Sequence, residues 1–194
     1  MSDRPPPQMD FAGVDAVLLT TSRFGPEHAS EDAALVRRAG AGDAAAFARL
    51  YERYARMVHA LLLARVGRAD VDDLVQDVFL TAWRRLDALR DPAAFGGWIA
   101  AIARNRAIDF HRRAAETEKL PEHLAARDAT AAHIEARAAL ELICTLPAAY
   151  RETLVMRLVE GMTGPEIAER TGLTAASVRV NLHRGMKLLR EKLK

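Results

Sequence analysis

Three aspartates, Asp72, Asp73 and Asp77, stand in a DDxxxD pattern within DVDDLVQDVFLTAW. On a helix that spacing gathers carboxylates on one side, where they can hold a divalent cation. A magnesium enzyme built this way needs a second acidic cluster facing the first and a large apolar cavity for its substrate. The sequence offers neither, so no metal, cofactor or catalytic residue is expected. Asp73, Gln76, Asp77 and Arg84 then read as a polar docking face or as plain solvated charge. The remaining chemistry is cationic. Arg104, Arg112 and Arg113 follow the aromatic residues Phe95 and Trp98, and Arg179, His183, Arg184 and Lys187 gather near the C-terminus. Cations beside aromatics suit a phosphate backbone with unstacked bases, although core packing is an equal alternative for Phe95 and for Trp98.

Helices must position these groups. Val71, Leu74, Val75, Val78, Phe79, Ala82, Trp83, Leu86 and Leu89 recur at the three-and-four spacing of one helical face. Phe47, Leu50, Tyr51, Tyr54, Met57, Val58, Leu61 and Leu62 make a matching stripe upstream, opened by an Asp43 cap and ended near Gly67. Helices joined by so short a link pack antiparallel. Ser30 is expected to cap a short preceding helix that Gly40-Ala41-Gly42 ends. A third long helix follows RDPAAF, and on it Arg106 falls toward the apolar side, where a cation needs a carboxylate partner. Asn105, Arg106 and Asp109 are expected to form a structural polar network.

Residues 114 to 133 lose this periodicity and read as a flexible linker. Beyond it Ile134, Leu140, Ile143 and Leu146 restore the pattern, and Pro147 opens a helix closed by Gly161. Thr163 and Glu166 then form a capping box, Gly172 permits a sharp turn, Leu173 packs inward and Thr174 caps a last helix: a helix-turn-helix. Val178, Leu182, Met186 and Leu189 take its inner side, and Ala176, Val180, His183, Arg184 and Lys187 its outer side. Small residues at its front suit entry into a major groove.

DVDDLVQDVFLTAW followed by FGGWIAAIARNRAIDFHRR resembles region 2 of a bacterial extracytoplasmic-function (group 4) sigma factor. LPAAYRETLVMRLVEGMTGPEIAERTGLTAASVRVNLHRGMKLLREKL resembles region 4 of the same family. The resemblance implies an all-α fold of two small helical domains, a region 2 bundle over 30–113 and a region 4 helix-turn-helix over 134–194. It implies binding to core RNA polymerase through Asp73, Gln76, Asp77, Leu80 and Arg84. Melted minus-ten DNA would fall to Arg90, Phe95, Trp98, Arg104, Arg112 and Arg113. The minus-thirty-five element would fall to Thr174, Ala176, Ser177, Arg179, Val180, Asn181, His183, Arg184 and Lys187. Val180 and Asn181 depart from the common serine-arginine pair, and Met186 stands where another arginine is frequent, which weakens phosphate anchoring or changes the preferred sequence. The family further implies an anti-sigma factor, with the chain a monomer when free or 1:1 with that regulator. The rival reading is a stand-alone helix-turn-helix transcription regulator, which would need a dimerising or sensory domain.

The totals agree with this without proving it. In 194 residues, 28 Lys and Arg stand against 26 Asp and Glu, so binding to DNA rests on where charge sits rather than on its sum. Apolar residues make up 50% and aromatics 6%, and no stretch alternates like a strand, so essentially no sheet is expected. No segment reads as a signal peptide or a membrane span, which places the chain in the cytoplasm without membrane insertion. Residues 1 to 29, rich in Pro, Gly and Ser, are expected to be poorly ordered, with FAGVDAVLL able to form a short helix. No segment reads as the extra N-terminal or middle domain of housekeeping sigma factors, so the two domains are expected to make all promoter contacts. The single Cys144 reads as a small core residue of a reducing compartment, with a redox-sensing thiol as the alternative.

Overall fold

The computed structural model describes residues 27–66, 68–117 and 131–193. FAGVDAVLL, Gly67 and the middle of the linker lie outside them. The described residues form eight helices and no strand. They are α1 (Glu27–Gly40), α2 (Ala44–Leu63), α3 (Val71–Arg84), α4 (Phe95–Thr117), α5 (Ala131–Cys144), α6 (Ala148–Leu158), α7 (Gly164–Thr171) and α8 (Ala175–Lys192).

The first four helices pack as one bundle in which their apolar stripes cover one another. Phe47, Leu50, Met57, Val58 and Leu61 of α2 are fully or almost fully buried, as are Val78 and Phe79 of α3 and Ile99 of α4. At the centre the Phe47 ring meets Trp83 edge-on, with centroids 4.8 Å apart, and Phe79 at 6.4 Å. Asp43 caps α2 by accepting from the Ala46 amide at 3.0 Å, directly after Gly42 turns the chain with φ +98°.

Three boundaries move from their sequence-based positions. Ser30 is not a cap; α1 starts at Glu27. Its first turns are fixed from outside the helix, since Asp32 and Glu31 both pair with Arg53 of α2 and the buried Asp32 also accepts from the Tyr54 hydroxyl at 2.6 Å. Such tertiary anchoring outweighs a local capping preference. Helix α3 stops at Arg84 because Arg85 bonds back to both Thr81 and Ala82, tightening the chain into a 3-10 turn over Leu86–Ala88 that still buries Leu86. Helix α4 runs on to Thr117, through Ala114 and Ala115, which favour helix, and α5 begins at Ala131. Both ends of the expected linker are therefore helical.

In the second half α5, α6, α7 and α8 pack around Ile143, Leu146, Leu154, Ile167, Val178 and Leu189. Pro147 precedes α6, and Gly161 turns the chain after it with φ +63°. The capping box is formed: the Thr163 hydroxyl accepts from the Glu166 amide at 3.4 Å, and Glu166 accepts from the Thr163 amide at 2.7 Å. Thr163→Ala should lower stability by about 1 kcal/mol, read as a small fall in melting temperature with helix content unchanged. Gly172 takes the left-handed conformation at φ +72°, and Thr174 caps α8 by accepting from the Ser177 amide at 3.1 Å. Leu173 does not pack inward: it follows this left-handed turn and stays 40% exposed. Gly185 lies midway along α8, where an added Cβ would come within 3.0 Å of Leu154 on α6. A side chain there would require Leu154 and Tyr150 to give way by a few tenths of an ångström.

Candidate polymerase and DNA interface

On α3 the apolar stripe faces the bundle and leaves the opposite side bare. Asp73, Asp77 and Arg84 are exposed, and Gln76 and Leu80 are half-buried beside them. Their equal helical phase makes one continuous strip. The expected network on α4 is only partly present. Arg106 is half-buried and finds its carboxylate in Asp77, at 3.4 Å, with Thr81 nearby. Asp109 instead pairs with Arg112 at 3.0 Å, one turn along the same helix, and Asn105 is exposed. The three positions therefore do not close on one another, because they point to different sides of α4. In the DDxxxD pattern Asp77 is turned to Arg106, while Asp72 lies 3.9 Å from His59.

The aromatic pair divides. Phe95 is fully buried, stacked edge-on against Tyr54 at 5.1 Å, so it belongs to the core and not to a DNA surface. Its position at the first residue of α4 turns it inward under the 3-10 turn Pro92–Ala94. Trp98 is half-buried, 5.9 Å from Phe95. Arg90, Arg112 and Arg113 are exposed. Arg104 is not free: its guanidinium donates from two nitrogens to Glu152 of α6, at 2.9 and 3.2 Å.

The outer side of α8 is open to solvent. Ala176, Ser177, Arg179, His183, Arg184 and Lys187 are exposed, Val180 is 44% exposed, and Asn181 is half-buried. The Thr174 and Ser177 hydroxyls, 2.9 Å apart, share a hydrogen bond at the helix tip. Leu182 and Met186 are less covered than their inner phase implies. They line an open groove of about 690 Å³ with Leu158, rimmed by Arg157, Lys187 and Arg190.

Sequence reasoning missed a row of groups between the two halves of the chain. Glu152 is buried and accepts from both Arg104 and Arg65. Burial pushes its carboxyl up, but the hydrogen bond and charge of Arg104, joined by those of Arg65, outweigh this and hold it below the usual glutamate range. A carboxylate depressed in the fold contributes stability at neutral pH that is lost as pH falls through that lowered value. The stability gap between the wild type and Glu152→Gln should therefore narrow as pH drops below the ordinary glutamate value, measured by melting at each pH. Glu160, also buried, accepts from His59 at 2.6 Å, and its backbone carbonyl accepts from Arg56. The Arg170 guanidinium lies over the Tyr54 ring, 5.3 Å from its centre. Burial and then the charge of Asp32 push the Tyr54 hydroxyl well above the usual tyrosine range, so it stays a neutral donor. Cys144 is half-buried with its thiol toward the Leu63 carbonyl at 3.8 Å, and burial pushes that thiol up, away from the reactive thiolate.

Residues 50–117 match the family model described as Sigma-70 region 2, and residues 136–189 match the one described as Sigma-70, region 4. The RNA polymerase sigma factor NccH of Alcaligenes xylosoxydans xylosoxydans is 31% identical over 162 residues, covering 77% of this chain and 87% of its own. The ECF RNA polymerase sigma-E factor of Haemophilus influenzae is 30% identical over 181 residues, covering 84% of this chain and 95% of its own. The chain belongs to the extracytoplasmic-function sigma factors. The structure of CnrH in complex with the cytosolic domain of CnrY matches with a TM-score of 0.57 at 29% identity, over 84% of this sigma factor and 96% of CnrH. The sigma factor RpoE of Bartonella quintana, solved with the anti-sigma factor NepR, shares the fold with a TM-score of 0.51 at 20% identity, over 76% and 96% of the two chains. A stand-alone regulator is not favoured, because the first half of this sigma factor is a region 2 bundle. Among the described residues no helix is long and apolar enough to cross a membrane.

Proposed function

We propose that this sigma factor binds core RNA polymerase through the α3 strip Asp73, Gln76, Asp77, Leu80 and Arg84. The observation that supports this is that the apolar side chains Val71, Leu74, Val75, Val78, Phe79, Ala82 and Trp83 of α3 are buried in the bundle, while Asp73, Asp77 and Arg84 are exposed on the opposite side. Trp98, with Arg90, Arg104, Arg112 and Arg113, then captures the melted minus-ten strand. Trp98 supplies a stacking face, and the arginines supply the charge that a single strand requires. The α8 face from Thr174 to Lys187 reads the minus-thirty-five duplex. Val180 offers a methyl contact to thymine, and Arg179, Arg184 and Lys187 reach phosphates. The domains run from about residue 30 to Arg113 and from about Ile134 to Lys194. No bond is made or broken by the chain itself; binding energy drives recognition and strand opening in the cytoplasm. A protein regulator is the expected partner of the free form; the relative CnrH is solved in complex with the cytosolic domain of CnrY.

The test is run-off transcription with core polymerase on a promoter library that includes the DNA upstream of its own gene. New start sites that need the protein are expected. No new start sites, together with tight duplex binding by the protein alone, would overturn the reading in favour of a conventional helix-turn-helix regulator.

A further inference from the structure

The groove between α6 and α8 is open among the described residues. Leu158, Leu182 and Met186 make its floor, and Leu158 is 50% exposed, an apolar surface of the kind that binds something. Its rim is basic. Arg157, Lys187 and Arg190 stand around it with His183, against the single carboxylate of Glu191, and Arg157 is fixed by donating to the Met162 carbonyl at 3.1 Å. Cations over an apolar floor suit an amphipathic segment that carries its own acids. The sequence holds such a segment outside the described residues. At helical spacing Phe11, Val14 and Leu18 share one face with Val17 beside them, with Asp10 at its start and Asp15 along its edge. Over residues 5–22 these two acids stand without any Lys or Arg.

We propose that residues 11–19 dock their apolar face in this groove of the same chain, with Asp10 and Asp15 set against Arg157, Lys187 and Arg190. The tether allows it. Residues 20–26 join the segment to the start of α1 at Glu27, and seven residues reach about 25 Å when extended. Helix α1 runs antiparallel to α2, with Asp32 paired to Arg53, so its start lies toward Arg56, one turn further along α2. Arg56 in turn donates to the Glu160 carbonyl, two positions beyond Leu158 on the groove wall. So short a tether sets an effective concentration of order millimolar, and contacts too weak to hold a free peptide then suffice to fill the groove. His183 and Lys187 belong both to the rim and to the α8 face assigned to minus-thirty-five DNA, so a seated segment competes with the duplex for them. That consequence rests on the reading given under Proposed function; docking itself does not.

The test uses the full-length protein with a nitroxide on Gly13→Cys, in a Cys144→Ser background, and reads the methyl signals of leucine and methionine by NMR. The Leu158, Leu182 and Met186 signals should be lost while the label is paramagnetic and return when it is reduced. Adding Val17→Asp with Leu18→Asp, or Asp10→Lys with Asp15→Lys, should restore them, with helix content by circular dichroism unchanged. The groove variant Leu158→Glu, at a half-exposed position, should restore the Leu182 and Met186 signals from the other side of the contact. Signals retained beside the unaltered segment, or still lost in all three variants, would overturn the docking. Loss in a mixture of nitroxide chains with separately methyl-labelled chains would seat another copy's segment there and also overturn docking within one chain. Affinity for a minus-thirty-five duplex, measured on the same samples, should rise about threefold once the segment is released. Methyl signals that respond as expected with duplex affinity unmoved support the docking and count only against the DNA assignment of His183 and Lys187.

Discussion

Replacing Asp73 and Asp77 together by alanine is expected to abolish run-off transcription while leaving the fold and the DNA-reading helix intact. Both side chains are exposed on the bare side of α3, so neither supports the core. Among the described residues, the structural contact at stake is the Asp77 to Arg106 pair at 3.4 Å. Asp77 is half exposed there, and such a pair contributes between about 0 and 1 kcal/mol. At a polymerase interface each carboxylate would be desolvated against a cation, and losing two such partners costs about 2 to 4 kcal/mol. That corresponds to a roughly 30- to 800-fold weaker affinity for core enzyme. Titration of labelled core by fluorescence anisotropy reads it directly, with melting temperature as the control. Unchanged affinity would remove α3 from the docking surface.

The largest effect on stability is expected from Phe47→Ala. The ring is fully buried and meets both Trp83 and Phe79, so it joins α2 to α3 at the point where their stripes cross. Truncation there costs about 3 to 5 kcal/mol through lost transfer energy and the cavity left behind. The two edge-on ring contacts, about 0.5 to 1.5 kcal/mol each, are part of that cost. Against the 5 to 15 kcal/mol typical of a folded protein, about half the margin disappears. The melting temperature should fall by roughly 6 to 20 °C. Core binding should then be lost together with structure, unlike in the aspartate pair, where it is lost alone.

What could be read in advance follows the range of the interactions involved. Caps are local, and Asp43, Thr163 with Glu166, and Thr174 all bond as their spacing predicts. Stripes are nearly local, and Phe47, Leu50, Val78 and Phe79 are buried as the period requires. Errors begin where a distant residue decides. Ser30 lost its cap role to anchoring of the neighbouring carboxylates by Arg53, twenty-odd positions downstream. Arg104 pairs with Glu152 across 48 positions, and Arg56 reaches the carbonyl of Glu160 across 104. No periodicity encodes such partners, and Glu152 read alone is one more polar residue on a helix. Phe95 shows the remaining kind of ambiguity: an aromatic at a loop-helix junction fits a core or a ligand equally well until the packing is known.

Gly185 gives the recognition helix a fulcrum. Glycine is a poor helix former, and its presence in the interior of α8 is balanced by the close seat it allows against Leu154 and Tyr150 of α6. Ahead of that seat the helix is held again by the buried Val178. Ala176 stands nine residues forward, about 13 Å along the axis, so a tilt of about 5° at the seat sweeps the tip by about 1 Å. Base contacts are made or lost over such a distance. The alignment of the proposed reading face is thereby set in part from behind, by a residue without a side chain.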